Sequence, residues 1–493
     1  MNSLREQLLK LAADKGVLLD PEALSRLSMR NDGVLKLGRI LDASETPPLV
    51  ITAEMLLDSH PAVEQKKPSE TVGRINSKQP SPNVLRDITG NSTTTGNVKD
   101  FGKYFTDRFR SLRKLLLRRT DMAGAIPISR ILHVNRDART IGIVNSVKTT
   151  RNGHRLLEIE DEEERCTVLL MKEKGFDTVL KDEVIGIHGR LSRDRKMIIA
   201  TAVIRPDVPF NRERDDLDTT SRVAVLSDTH VGSKTFLRTE WTDLLKWLKH
   251  SPEAREINYL IVSGDLADGI GVYPDQEDDL EISDVYEQYQ RVSEYFMELP
   301  DWIRIILMPG NHDAVRPAEP QPTFHSDIRK LFGNDVTFVG NPSTIDIEGR
   351  KVLSYHGRSF DDIISSIPGL TWEKPIETMV ELLKRRHLAP VYGEKTPLAP
   401  EHKDYLVIDE VPDIFVTGHI HSYGLSDYRG VKLISGSTWQ SQTSYQKMKN
   451  ITPIPAKMPV IELSSLNMGV VNFSDFHRAE RRMESGQETR SSG

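Results

Sequence analysis

Five short stretches of this 493-residue chain place acid, amide or imidazole side chains just after an apolar run. They are Ser227-Asp228-Thr229-His230, Gly264-Asp265-Leu266-Ala267-Asp268, Gly310-Asn311-His312-Asp313, Tyr355-His356-Gly357 and Gly418-His419-Ile420-His421. Oxygen and nitrogen donors in that mixture suit divalent cations, and there are enough of them for two cations sharing one carboxylate. Such a pair activates water and neutralises charge at phosphorus, so the chemistry that fits is hydrolysis of phosphate esters. Taken singly each motif carries little weight, because an Asp-x-His recurs by chance and a lone buried His is ordinarily a satisfied core residue. Their joint occurrence in this order, each behind a strand-like run, is what points to a metal centre.

Those donors need a rigid frame. Apolar runs at Val223–Leu226, Tyr259–Val262 and Ile303–Met308 alternate with helical patterns near Trp241–His250 and Ser283–Leu299, which predicts buried strands of a layered α/β domain over residues 221–473. Loops at strand ends then present the donors. Residues 121–210 change to strand periodicity, with candidates Thr140–Val147, Leu156–Ile159, Cys166–Leu170, Glu183–Gly189 and Met197–Ala200, a hairpin signal at Arg151-Asn152-Gly153-His154 and a helical insert near Lys172–Leu180. That is the element count of an OB-fold β-barrel. The segment is poor in aromatics, Phe176 apart, which favours a scaffold or subunit contact over guidance of DNA.

Residues 101–120 read as a basic amphipathic helix, with Phe101, Phe105, Leu112, Leu115 and Leu116 at helical spacing among Arg108, Arg110, Arg113, Lys114, Arg118 and Arg119. Its charges form a solvated face or touch a nucleic-acid backbone. Residues 60–100 are polar and rich in Pro, Ser, Thr and Gly, and are expected to be a disordered linker. Residues 1–59 read as a small helical docking domain in which Asp20-Pro21 caps a helix, and residues 474–493 as a disordered tail. The expected fold class is therefore α/β: a layered β-sandwich flanked by helices, preceded by an OB-fold barrel and a small N-terminal helical domain.

Composition narrows less. With 72 acidic and 66 basic residues the net charge is −6, which neither requires nor forbids nucleic acid. A single cysteine, Cys166, cannot form an internal disulfide, no signal pattern follows Met1, and no run approaches the roughly 18 apolar residues that span a bilayer. A cytoplasmic protein without a membrane partner is expected.

As a set, the motifs resemble those of the calcineurin-like metallophosphoesterases over about Arg222 to Leu463. The resemblance implies that Asp228, His230 and His421 hold one cation, that Asn311, His356 and His419 hold the other, and that Asp265 bridges them. It also implies that His312 faces the substrate and protonates the leaving oxygen, oriented by Asp268, while Asp313 supports the loop. Manganese is the expected metal, with iron and zinc suited to the same donors. The flanking residues, among them Gly269-Ile270-Gly271-Val272-Tyr273, Ala314-Val315-Arg316-Pro317, Arg358-Ser359-Phe360-Asp361-Asp362 and Gly436-Ser437-Thr438-Trp439-Gln440, resemble the small, exonuclease subunits of archaeal D-family DNA polymerases.

That second resemblance implies a proofreading 3′–5′ exonuclease subunit working with a large polymerase subunit, a DNA primer-template or single-stranded 3′ end, and a sliding clamp. The cleavage direction comes from the resemblance alone. Arg358, two residues after His356, is a candidate phosphate contact, with a structural ion pair as the alternative. Trp439 and Tyr445 either stack on a base or pack, and the acidic run Asp275–Glu281 reads as solvated surface. The rival classes are a mainly structural polymerase subunit and a metallophosphatase or nuclease of another substrate class.

Overall fold

The computed structural model describes residues 2–29, 33–42, 50–52, 80–131, 137–176, 178–210, 212, 214–333 and 335–475. Two six-stranded sheets dominate. In the first, the strands Val336–Phe338, Arg304–Met308, Ile257–Ser263 and Arg222–Leu226 run parallel, and Lys457–Glu462 and Met468–Asn472 complete it antiparallel. The second orders Gly424–Tyr428, Val431–Ser435, Ile414–Thr417, Arg350–Ser354, Ser343–Ile347 and Asn83–Arg86.

Side-chain alternation explains the layering. Val223, Val225, Tyr259, Ile261 and Ile306 point from the first sheet into a shared core with Ile345, Ile347, Val352, Ile414, Val416 and Ile434 from the second. Their alternates, Ala224, Leu226, Leu260, Val262 and Leu307, meet Trp241, Leu244 and Leu248 of the helix Arg238–His250 and Tyr289, Val292 and Phe296 of Val285–Met297. On the outer face of the second sheet, Leu353, Phe415 and Leu433 pack on Met379, Leu382 and Leu383 of the helix Pro375–Arg385. The result is a helix–sheet–sheet–helix sandwich, and strands buried on both faces have to read as the continuous apolar runs seen in the sequence.

The strands Ala138–Thr149, Arg155–Glu160, Arg165–Leu170, Met197–Ile204 and Val184–Leu191 close, in that order, into a barrel whose only parallel pair joins the third and fifth strands in sequence. Among the described residues of the insert expected over 172–180, the regular structure is a 3₁₀ turn, Lys172–Lys174, rather than an α-helix. Gly175, left-handed at φ 67°, ends it. At the N-terminus, the helices Asn2–Asp14, Pro21–Ser28 and Gly33–Asp42 enclose Leu8, Leu24, Leu27, Leu37 and Leu41, and Asp20 Oδ1 accepts the Ala23 N–H at 2.9 Å as the cap.

Two expectations need correction. The linker expected over 60–100 does not extend through its second half: Asn83–Arg86 is the edge strand of the second sheet, paired antiparallel with Ser343–Ile347. Farther along, the buried Glu401 carboxylate accepts from Ser92 Oγ, Thr93 Oγ1 and Thr94 N, which offsets the low apolar content of this stretch. Residues 60–79 of that linker, and the tail from 476 onward, lie outside the described residues.

The helix Asp100–Leu117 is not simply a basic face either. Tyr104, Arg108, Phe109, Leu112 and Leu116 are buried, and the helix joins the barrel to the sandwich. Arg108 is fully enclosed: Nε donates to Asp404 Oδ2 at 2.8 Å, Nη1 to the Pro390 carbonyl at 2.8 Å and Nη2 to Tyr104 Oη at 2.9 Å. Removing one member of such a pair leaves a buried charge, so Arg108→Met is expected to destabilise the fold by about 3–5 kcal/mol. Denaturant unfolding measures it, and an unchanged midpoint would show that Asp404 finds another partner.

Candidate metal centre

All five motif stretches lie on loops that follow strands of the two sheets, at one end of the sandwich. The backbone there is unusual. Asp228, His230, Asp265, His419 and His421 have φ of 52°, 46°, 52°, 74° and 53°, a left-handed region that costs non-glycine residues energy and persists where the surroundings over-determine it. Glycines make the close approach feasible: a Cβ on Gly418 would run into Ser227 Oγ, and one on Gly310 into Asp265 Oδ1.

The donors gather in two groups. In one, ligand atoms of Asp228, His230 and His421 lie within 4.8 Å of one another; in the other, those of Asp265, His356 and His419 do. Asn311 joins the second through Oδ1, 3.2 Å from His356 Nε2. Asp265 stands between the groups, with Oδ2 3.8 Å from His230 Nε2 and 3.2 Å from His356 Nε2. The seven residues expected as a cage are thus brought together.

The chemistry of this set fits divalent cations. His356 Nδ1 lies 2.9 Å from the Ser263 carbonyl and must carry its proton there, so a neutral ring turns a bare Nε2 toward the acceptors Asp265 Oδ2 and Asn311 Oδ1. His230 repeats the pattern: Nδ1 donates to Asp268 Oδ1 at 2.9 Å, and Nε2 sits 3.0 Å from His421 Nε2. The His356 lone pair facing two oxygens needs a positive charge between them, whereas the neutral His421 ring, whose Nδ1 accepts from Gln446 Nε2, turns an N–H at Nε2 toward His230 until a cation displaces it. Burial opposes ionisation of Asp228 and Asp265, yet the surrounding imidazoles hold both carboxyls below the ordinary range, and Asp265 lifts His356 to about 9 against the effect of its own burial. Protons on the imidazoles fill the role that cations would take.

Around the donors stands a ring of supporting bonds. His419 Nε2 lies 3.2 Å from Asp361 Oδ1, and His421 Nδ1 lies 2.8 Å from Gln446 Nε2. Asp313 is a loop support, accepting from Leu266 N at 3.2 Å, Gly310 N at 2.8 Å and Tyr289 Oη at 2.8 Å. Burial and the nearby Asp265 push its carboxyl up to about 6.

His312 lies beside the cage, its ring 4.6 Å from that of His230 and edge-on to it. The expected link to Asp268 takes a different form. The Asp268 carboxylate is committed to His230 Nδ1, Gln276 Nε2 and Gln440 Nε2, and His312 Nδ1 instead donates to the Asp268 main-chain carbonyl at 2.7 Å. Nε2 of His312 forms no hydrogen bond among the described residues. Burial depresses its pKa despite the attraction of Asp265, so the ring is neutral near neutrality.

The peripheral candidates separate clearly. Trp439 is fully buried against Trp241 and Phe473, which removes it as a base-stacking residue, whereas Tyr445 is 40% exposed. Arg358 donates to the Pro317 carbonyl at 3.2 Å and forms no ion pair among the described residues. Sequence reasoning gave no role to Asp361, Gln276, Gln440 or Gln446. Asp361 carried a weak signal, a carboxylate five residues after His356, but the glutamines carried none, since Gln440 meets a residue 172 positions away.

A model of the calcineurin-like phosphoesterase family matches residues 221–423, a span that contains every candidate donor. The chain is 39% identical over 474 residues to the DNA polymerase II small subunit of Thermoplasma acidophilum, covering 95% of this chain and 93% of that one. It is 46% identical over 390 residues to the DNA polymerase II small subunit of Archaeoglobus fulgidus, covering 76% and 78%, and 37% identical over 486 residues to that of Methanothermobacter thermautotrophicus, covering 94% and 98%. Among the described residues no helix is long and apolar enough to cross a membrane.

Proposed function

Because the chain belongs to the family of DNA polymerase II small subunits, we propose that its metal centre is a 3′–5′ exonuclease that removes mispaired nucleotides for a separate, large polymerase subunit. The observation that carries this reading is the completeness of the cage: all seven donors converge, in two groups about one shared carboxylate. A subunit kept only as scaffold has no use for five left-handed ligand residues and two buried acids.

Asp228, His230 and His421 would hold one cation, and Asn311, His356 and His419 the other, with Asp265 available to both. When bound, two divalent cations supply a nucleophile from water near neutral pH and stabilise charge gathering at phosphorus. Manganese is the preferred metal, with iron and zinc as alternatives for this donor set. His312 presents Nε2 to the leaving oxygen; because the neutral ring keeps its one hydrogen at Nδ1 on the Asp268 carbonyl, Nε2 first takes up the proton that the attacking water gives up and then passes it on. Arg358, partly exposed, bonded to the Pro317 carbonyl and near enough to Glu319 and Asp361 to favour their charged forms, contacts a phosphate. We read the barrel as an OB-type module that contacts the large subunit.

Asp268 has its own expected effect. Its carboxylate fixes the His230 tautomer, so Asp268→Asn should weaken retention of the first cation by about 10–100-fold and leave the second in place. Metal content after dialysis would fall toward half, and loss of neither cation would count against the assignment.

The reading is tested with 3′-labelled and 5′-labelled single strands plus manganese. The expected result is stepwise shortening from the 3′ end by the wild type and none by His312→Ala. Internal cleavage, or hydrolysis of phosphomonoesters with intact DNA, would overturn it.

A further inference from the structure

Beside the metal centre, two tyrosines from distant parts of the chain lie face to face. Tyr273 follows the Asp265–Asp268 loop and Tyr445 belongs to the short helix Ser444–Met448; their ring centroids are 5.5 Å apart and the planes 29° from parallel. Tyr273 is also 6.4 Å from the His312 ring. Resting on the reading of the centre as a DNA phosphodiesterase, we propose that this pair is a stacking platform for the nucleobase next to the scissile phosphodiester.

Both rings are tied to the metal cage by buried amides. Gln276 accepts from Val272 N at 2.9 Å, and its Nε2 donates to the Asp268 carbonyl at 2.9 Å, which fixes the Tyr273 loop to the residue that also orients His230 and His312. On the other side, Gln446 forms a capping box with Thr443 and directs Nε2 to His421 Nδ1 at 2.8 Å, which fixes the Tyr445 helix to a candidate ligand. Asp279 joins the two elements, accepting from Tyr273 Oη at 3.1 Å and Ser444 Oγ at 3.4 Å. The platform therefore has a set position relative to the atoms that react.

Its surroundings suit a base better than a sugar-phosphate backbone. Tyr445 is 40% exposed, and exposed apolar groups stand on the same two elements: Ile270 and Val272 on the loop, Met448 on the helix. Asp275, Glu277 and Asp278 flank Tyr273 and repel phosphates on that side, while Lys449 approaches the Tyr445 ring with Nζ 5.8 Å from its centroid. An aromatic face accepts any of the four bases, as removal of arbitrary nucleotides requires.

The test compares two single strands that differ only at the terminal nucleotide, one bearing a base and the other an abasic tetrahydrofuran. The readout is the ratio of kcat/KM on the two, with manganese present and metal content verified. The wild type should prefer the base-bearing end about 5- to 100-fold, chiefly through KM. Tyr445→Ala and Tyr273→Leu should bring the ratio close to one, and Tyr445→Phe should restore it. A ratio unchanged in Tyr445→Ala, or equal losses on both strands, would overturn the platform alone. A wild type that leaves both strands intact would instead overturn the phosphodiesterase reading together with it.

Discussion

His312→Ala is expected to lower the rate of DNA hydrolysis by about 10²–10⁴-fold while both cations stay bound. The ring belongs to neither of the two groups; it forms a third set with His230 and Asp268, but Asp268 is committed to His230, and His312 Nδ1 bonds to the Asp268 carbonyl. The main-chain N–H of residue 312, which donates to Asp265 Oδ1 at 2.8 Å, survives the substitution, so the shared carboxylate keeps its orientation. What disappears is the Nε2 atom that faces substrate. If that atom protonates the leaving oxygen, the defect must depend on the leaving group. From a nucleotide esterified to p-nitrophenol, p-nitrophenolate departs without a proton, so the variant should recover most of its rate on that substrate. Metal analysis beside the two rates is decisive: loss of both cations, or an equal defect on both substrates, would assign His312 to the cage and not to proton transfer.

Much of this site was legible before any coordinates, for a definite physical reason. A parallel strand buried on both faces must be continuously apolar, as in Val223–Leu226 and Ile303–Met308, and the loop leaving it is where polar side chains can gather. Five such loops at one end of a sandwich have to converge once the sheets stack, so donors far apart in sequence could be assigned to one centre.

What remained illegible depends on groups that sequence pattern does not encode. The expectation that the Asp268 carboxylate orients His312 differs from the structure, in which that carboxylate meets His230 and His312 meets the Asp268 main-chain carbonyl. Residue type cannot distinguish a carboxylate from the carbonyl of the same residue, and the neighbouring His230 had the stronger claim on the charge. The segment 80–100 looked like linker because Asn83-Val84-Leu85-Arg86 is short and its stabilising partner, Glu401, lies about three hundred residues away. Arg108 was more accessible to reasoning: it falls four residues after Tyr104 and four before Leu112, on the buried stripe of the helix. A charge at that position signals an internal partner.

Asp265→Asn should abolish turnover and empty both groups of metal. Asp265 Oδ2 lies near the imidazoles of both, 3.8 Å from His230 Nε2 and 3.2 Å from His356 Nε2. An amide there retains an oxygen to accept the His312 N–H, so the loop geometry persists, but it removes the negative charge that holds two cations close together. The consequence extends to stability. Cations that bind only the folded chain stabilise it by mass action, about 2.7 kcal/mol at a free concentration one hundred times the dissociation constant. Thermal unfolding of the wild type should therefore shift upward with manganese and fall with chelator, whereas Asp265→Asn should unfold at one temperature in both. The variant also removes a carboxylate that the surrounding imidazoles stabilise, while relieving Asp313 of a neighbouring negative charge. Near neutral pH its metal-free form should be less stable than the metal-free wild type, because folding holds the Asp265 carboxyl below its ordinary range and the variant leaves the buried His356 without that charge. A variant that still responds to manganese would show that the two groups bind cations independently, without a shared carboxylate.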